Sequence, residues 1–105
     1  MSHPNDIDAK RLEKAFESLV PDKIRNVVEK TRGGYILIET RPPWDGSDGP
    51  WTRLLVAKII YLKSTDSWKL HWIRASGKWN LYEERESLNE VIETIKADVN
   101  GCFWG

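Results

Sequence analysis

The 105-residue sequence predicts one α+β domain: a four-stranded antiparallel sheet with two helices before it and one after, in the order α-α-β-β-β-β-α. Three observations carry that expectation. Apolar residues recur at helical spacing at both ends of the chain and at strand spacing between them. Short turn sequences separate the strand-like stretches, as antiparallel neighbours require. A chain of this length with 40% hydrophobic residues can bury one core without a metal or a disulfide.

Residues 1–5 read as a flexible tail, and residues 6–105 as the domain. Ala9, Leu12, Phe16, Leu19 and Val20 lie on one helical face, with Asp6 placed to cap the helix and Pro21 to end it. Pro21-Asp22 can open a second helix, in which Ile24, Val27 and Val28 continue the period until Gly33-Gly34. Tyr35 to Glu39 is the first strand, followed by a Pro/Gly/Asp-rich loop from Arg41 to Thr52. Leu54 to Leu62, Trp68 to Arg74 and Lys78 to Tyr82 complete the sheet, joined by turns at Ser64–Ser67 and Ser76-Gly77. Ser87-Leu88-Asn89-Glu90 is a capping box opening the last helix. Its apolar stripe is Leu88, Val91, Ile92, Ile95 and Val99, and Asn100-Gly101 ends it.

Register follows from asking which pairing gives one coherent apolar face, because a one-residue slip inverts a strand. A two-residue Ser76-Gly77 turn sets Arg74 opposite Trp79, and a turn centred on Thr65-Asp66 sets Ile59 opposite Trp72 and Lys63 opposite Trp68. One face then collects Leu55, Ala57, Ile59, Tyr61, Trp68, Leu70, Trp72, Trp79 and Leu81, to be covered by the helices. Lys58, Lys69, His71, Lys78, Asn80 and Tyr82 fall on the other, among Leu54, Val56, Ile60, Leu62 and Ile73.

Formal charge is zero but unevenly spread. Residues 53–82 hold six Lys/Arg against one acid, while residues 83–105 carry a net charge of −4. The chain has no apolar run of the ~20 residues that a helical membrane span needs. It also opens without a signal-peptide pattern, so a cytoplasmic location and no membrane partner are expected. Cys102 is the single cysteine, which rules out an intrachain disulfide and reads as an inert thiol.

Six tryptophans (Trp44, Trp51, Trp68, Trp72, Trp79 and Trp104) all follow residue 43. The segments Arg41-Pro-Pro-Trp44, Ala57-Lys58, Trp68-Lys-Leu-His-Trp72-Ile-Arg74, Lys78-Trp79 with Tyr82, and Asp98 before Phe103-Trp104-Gly105 resemble one small bacterial family. It is the domain-of-unknown-function family 3024, and the resemblance covers roughly residues 10–105. Where its members often show Glu-Arg-Pro, this chain reads Glu39-Thr40-Arg41-Pro42. The resemblance implies a family trait in the Trp/Arg/Lys pattern and supplies no activity.

No catalytic constellation is present. His3 and His71 lie far apart, and no metal-ligand spacing, phosphate loop or nucleophile elbow occurs. Asp45-Gly-Ser-Asp48-Gly reads as a turn and not a calcium loop. No cofactor is expected. The expected function is non-catalytic binding through loop 41–53 and the basic sheet face, with a protein partner or homodimer as the occupant. The candidate residues are Arg41, Trp44, Trp51, Arg53, Lys58, His71, Arg74, Tyr82, Phe103 and Trp104. Single-stranded nucleic-acid binding is one alternative, weakened because Trp68, Trp72 and Trp79 point away from Lys58, Lys69 and Lys78. A small enzyme is the other, and would need Glu39, Lys58 and His71 in one cleft.

Overall fold

The computed structural model describes residues 6–16, 24–43 and 45–103. Helix α1 (Asp6–Phe16) is followed by strands β1 (Arg25–Thr31), β2 (Gly34–Arg41), β3 (Thr52–Leu62), β4 (Ser67–Ile73) and β5 (Trp79–Arg85), then helix α2 (Leu88–Ala97). The strands form one sheet in the order β1-β2-β3-β4-β5, every neighbouring pair antiparallel. The order is therefore α-β-β-β-β-β-α, and the expected four strands with two leading helices are corrected.

The segment expected as a second helix is β1. Val27 and Val28 are β-branched and stiff in a helix, and an isolated helix of about ten residues is marginal in water. Pairing with β2 instead satisfies the whole segment, from Arg25 with Thr40 to Thr31 with Gly34. Gly33-Gly34 does not stop a helix; it makes the hairpin. Gly33 adopts φ +80°, and a Cβ on Gly34 would lie 1.8 Å from the Ile59 carbonyl oxygen. The expected tail 1–5 and the Leu19, Val20 and Pro21 end of the first helix lie outside the described residues.

Pairing between β3 and β4 sets Ile59 against Leu70 and Tyr61 against Trp68, two residues from the expected register. A shift of two keeps every side chain on its expected face. Pairing between β4 and β5 differs by one. Ile73, not Arg74, stands opposite Trp79, because the turn is closed by Arg74 N–H donating to the Lys78 carbonyl at 3.0 Å and Gly77 N–H to the Arg74 carbonyl at 2.8 Å. Trp79 and Leu81 therefore lie on the face opposite to the one expected.

Two bulges correct further positions. Val56 is the extra residue between Ala57, paired with Leu37, and Leu55, paired with Ile38. It enters the core, and Leu55 is left 36% exposed. Tyr82 is the extra residue between Leu81, paired with His71, and Glu83, paired with Leu70. It packs against the core and meets Phe103 edge-on at 5.1 Å, away from Lys58.

The core lies on one side of the sheet. Leu12 and Phe16 of α1 and Leu88, Val91, Ile92 and Ile95 of α2 close over Tyr35, Leu37, Ala57, Ile59 and Leu70. Each buried Leu, Ile, Val or Phe side chain contributes roughly 1.5–3 kcal/mol by leaving water. Trp68 is central, stacked 6.3 Å from Tyr35 and tilted 5.1 Å from Tyr61. Arg11 hydrogen-bonds to Asn89 Oδ1, tying the helices together. The capping box on α2 is present, with Ser87 accepting from Glu90 N–H and the Glu90 carboxylate accepting from Ser87 N–H.

α2 ends earlier than the sequence predicts. Asp98 takes the left-handed conformation as C-cap and Val99, expected in the apolar stripe, is 82% exposed. The Asp98 carboxylate accepts from Phe103 N–H at 3.0 Å, turning the chain so that Phe103 enters the core.

Candidate binding surface on the open sheet face

Both helices contribute to the same core cluster, so no described element covers the opposite sheet face. Cross-strand partners share a face, which fixes its membership. Across its middle run Glu29, Ile36, Lys58, His71 and Leu81, and beside them Thr31, Gly34, Ile60, Lys69 and Glu84. Nearer the loop 42–51 lie Arg25, Thr40 and Arg53, then Val27, Ile38 and Leu55, with Ile73 on β4 and Trp79 on β5.

The charges on this face are unequally satisfied. Glu29 is paired with Arg53 at 2.6 Å, and Glu84 accepts from the Ser67 hydroxyl at 2.8 Å. Among the described residues, no carboxylate pairs with Lys58 or Lys69. Glu39 and Glu83 lie on the helix-covered side and are engaged elsewhere, Glu39 with Arg41 and Glu83 with Arg85. Lys58 is half-buried. Arg25 stacks over the Trp51 ring, 6.0 Å from its centroid, and Trp51 is 44% exposed.

His71 sits between these cations. Its Nδ1 is 3.4 Å from the Lys58 carbonyl, the partner to which it can only donate. Desolvation holds its pKa below the ordinary 6.5; the hydrogen bond opposes the shift, and the nearby Lys58 and Lys69 charges add to it. The imidazole is neutral at pH 7, so the fixed positive charge of the face comes from Lys and Arg.

The expected site residues divide. Arg53, Lys58 and His71 lie on the open face. Trp51 joins its rim through Arg25. Arg41 is held at 2.6 Å by the buried Glu39 on the other side of the sheet. Arg74 lies 5.4 Å from the centroid of the half-buried Trp72, as an arginine at the edge of the core does when it stacks. Phe103 belongs to the core and Tyr82 packs against it, so neither lies on the open face. Trp44 and Trp104 lie outside the described residues. Sequence reasoning left Arg25 out and used Trp79 and Lys69 only in weighing alternatives. For Trp79 the signal was present in strand alternation but could be used only with the length of the 74–78 turn known, whereas Arg25 lies in the segment read as a helix.

Glu39 lies across the sheet from Lys58 and His71, so the three do not share a cleft. Among the described residues no three His, Cys, Asp or Glu side chains converge on a common point, and no helix is long and apolar enough to cross a membrane.

The family model described as Domain of unknown function (DUF3024) matches residues 1–105, and the chain belongs to that family. Neither the curated proteins nor the solved structures include a significant match.

Proposed function

We propose that this DUF3024 domain is a non-catalytic binding module whose open sheet face holds single-stranded nucleic acid. The observation that carries the reading is Trp79 on the same face as Lys58, His71 and Lys69, in consequence of the Ile73–Trp79 pairing. An aromatic ring and unpaired cations on one sheet face can stack bases and meet phosphates together. Trp51 beside Arg25 extends the surface toward the loop. The reading includes a bacterial, cytoplasmic setting, where such ligands are accessible.

A protein partner is the second reading, favoured by Leu55 and Leu81, exposed by 36% and 54% on the same face. Titration of a fluorescent oligothymidine and an oligouridine into the full chain at several salt concentrations tests the first. With Lys58, Lys69 and Arg25 meeting phosphates, log K should fall with log salt at a slope of about −2, at roughly −0.7 per contact. Trp79→Ala should weaken binding by about 1–3 kcal/mol, the usual value of one base–aromatic stack. Binding absent at low salt, or indifferent to Trp79→Ala and Lys58→Ala, removes nucleic acid in favour of the protein reading.

A further inference from the structure

We propose that the free edge of β5 and the flank of α2 form a docking groove for an extended, basic peptide segment of a partner protein. Among the described residues no strand pairs with the outer edge of β5, so its backbone groups stand ready for one more strand. Alongside that edge lies a cavity of about 510 Å³, lined by Tyr82, Glu83 and Arg85 of β5 and by Glu93 and Ala97 of α2. An edge strand beside a helix-walled groove is the geometry of strand addition: main-chain bonds give affinity, and alternate side chains enter the groove.

Dimensions fit a short strand. The α2 wall runs from Asn89 to Ala97, about 12 Å at ~1.5 Å per residue, the length of about four extended residues at ~3.3 Å each. Its apolar surface is unusually open. Val99, displaced from the helix by the Asp98 cap, is 82% exposed at the groove, and Leu81 is 54% exposed on the other side of the same edge.

Charge selects the occupant. Glu83, Glu90 and Glu93 line the groove against Arg85 alone. The Glu90 carboxylate caps α2 by accepting from Ser87 N–H, and Glu83 is paired with Arg85. A second copy is disfavoured at this edge, since each copy would bring Glu83, Glu84 and Glu86 against Arg85. A strand alternating Lys or Arg with apolar residues meets both the carboxylates and the apolar wall. This groove is separate from the open face, whose cations would repel the same peptide.

The test is a titration of the isotope-labelled full chain, followed by amide NMR, with two end-blocked hexapeptides, one alternating Lys and Val and the other Glu and Val. The Lys/Val peptide should produce saturable shifts in residues 79–85 and 89–97, and the Glu/Val peptide should bind at least tenfold more weakly. Ala97→Trp, at an exposed position, should fill the groove and weaken the Lys/Val peptide at least tenfold. The unliganded spectrum of this variant reports whether it remains folded, and Thr94→Trp serves as the second blocking variant. A Lys/Val peptide N-methylated at alternate residues lacks the donors for strand pairing and should lose binding. Four outcomes each overturn the proposal: no saturable shift, shifts confined to the open face, full binding by the N-methylated peptide, or self-association of the chain through these same residues.

Discussion

Ile73 stands opposite Trp79 across the β4–β5 turn, and this pairing sends Trp79 to the open face while Trp72, one residue before Ile73, stays on the helix side. The two kinds of tryptophan should behave differently. Trp68→Ala, which removes a side chain only 1% exposed, should cost about 3–5 kcal/mol. Trp79→Ala should cost clearly less, and its fluorescence should be the more readily quenched by acrylamide. Denaturant melts and single-tryptophan quenching check both. Equal losses from the two substitutions would place Trp79 in the core.

The β1–β2 hairpin makes a separate prediction. Gly34→Ala sets a methyl against the Ile59 carbonyl at 1.8 Å, a backbone contact that no rotamer relieves, and should cost about 3 kcal/mol or more. Gly77→Ala meets no atom within 4 Å and suffers only from its φ of +83°, at about 1–2 kcal/mol. Thermal melts of the two variants should rank in that order. The reverse ranking would mean that β2 can move away from β3.

His71 gives the pH dependence. Its folded-state pKa lies below 6.5 because burial, with the Lys58 and Lys69 charges, disfavours the imidazolium. The unfolded chain therefore binds more protons in this window, and stability should fall as pH drops from about 6.5 through the lower folded value. His71→Gln should flatten that part of the profile. Bound nucleic acid favours imidazolium, so an NMR titration of the His71 ring should shift upward with oligonucleotide. An unchanged midpoint in a saturated complex would place the phosphates elsewhere.

At the N-terminus of α2, Ser87→Ala removes the acceptor for Glu90 N–H and should cost about 1 kcal/mol. Urea melts measure it. Because α2 walls the β5 groove, Ser87→Ala should also raise amide exchange in residues 88–91, and no change there would show that packing alone fixes the helix end.

Where information was local, the sequence carried it. The Ser87–Glu90 capping box depends on four adjacent residues, and the Leu88, Val91, Ile92 and Ile95 stripe on one helical period. Strand alternation likewise put Ala57, Ile59, Tyr61, Trp68, Leu70 and Trp72 on the core face without fixing the β3–β4 pairing, since an even shift leaves faces unchanged. Segment 24–31 was ambiguous because Ile24, Val27 and Val28 fit a helical face as well as a short strand. Only β2, lying beside it, resolves that choice through seven paired residues.

The sequence by itself determined an α+β domain, its tryptophan-centred core and the basic character of its middle. Tertiary structure alone decided that Trp79 joins Lys58, His71 and Lys69, and that Tyr82 and Phe103 lie on the core side of the sheet and not on its open face. The reason is geometric. Side chains alternate with a period of two, so one residue more in a turn or one bulge inverts a whole strand, and turn length is set by contacts between strands that no single segment encodes.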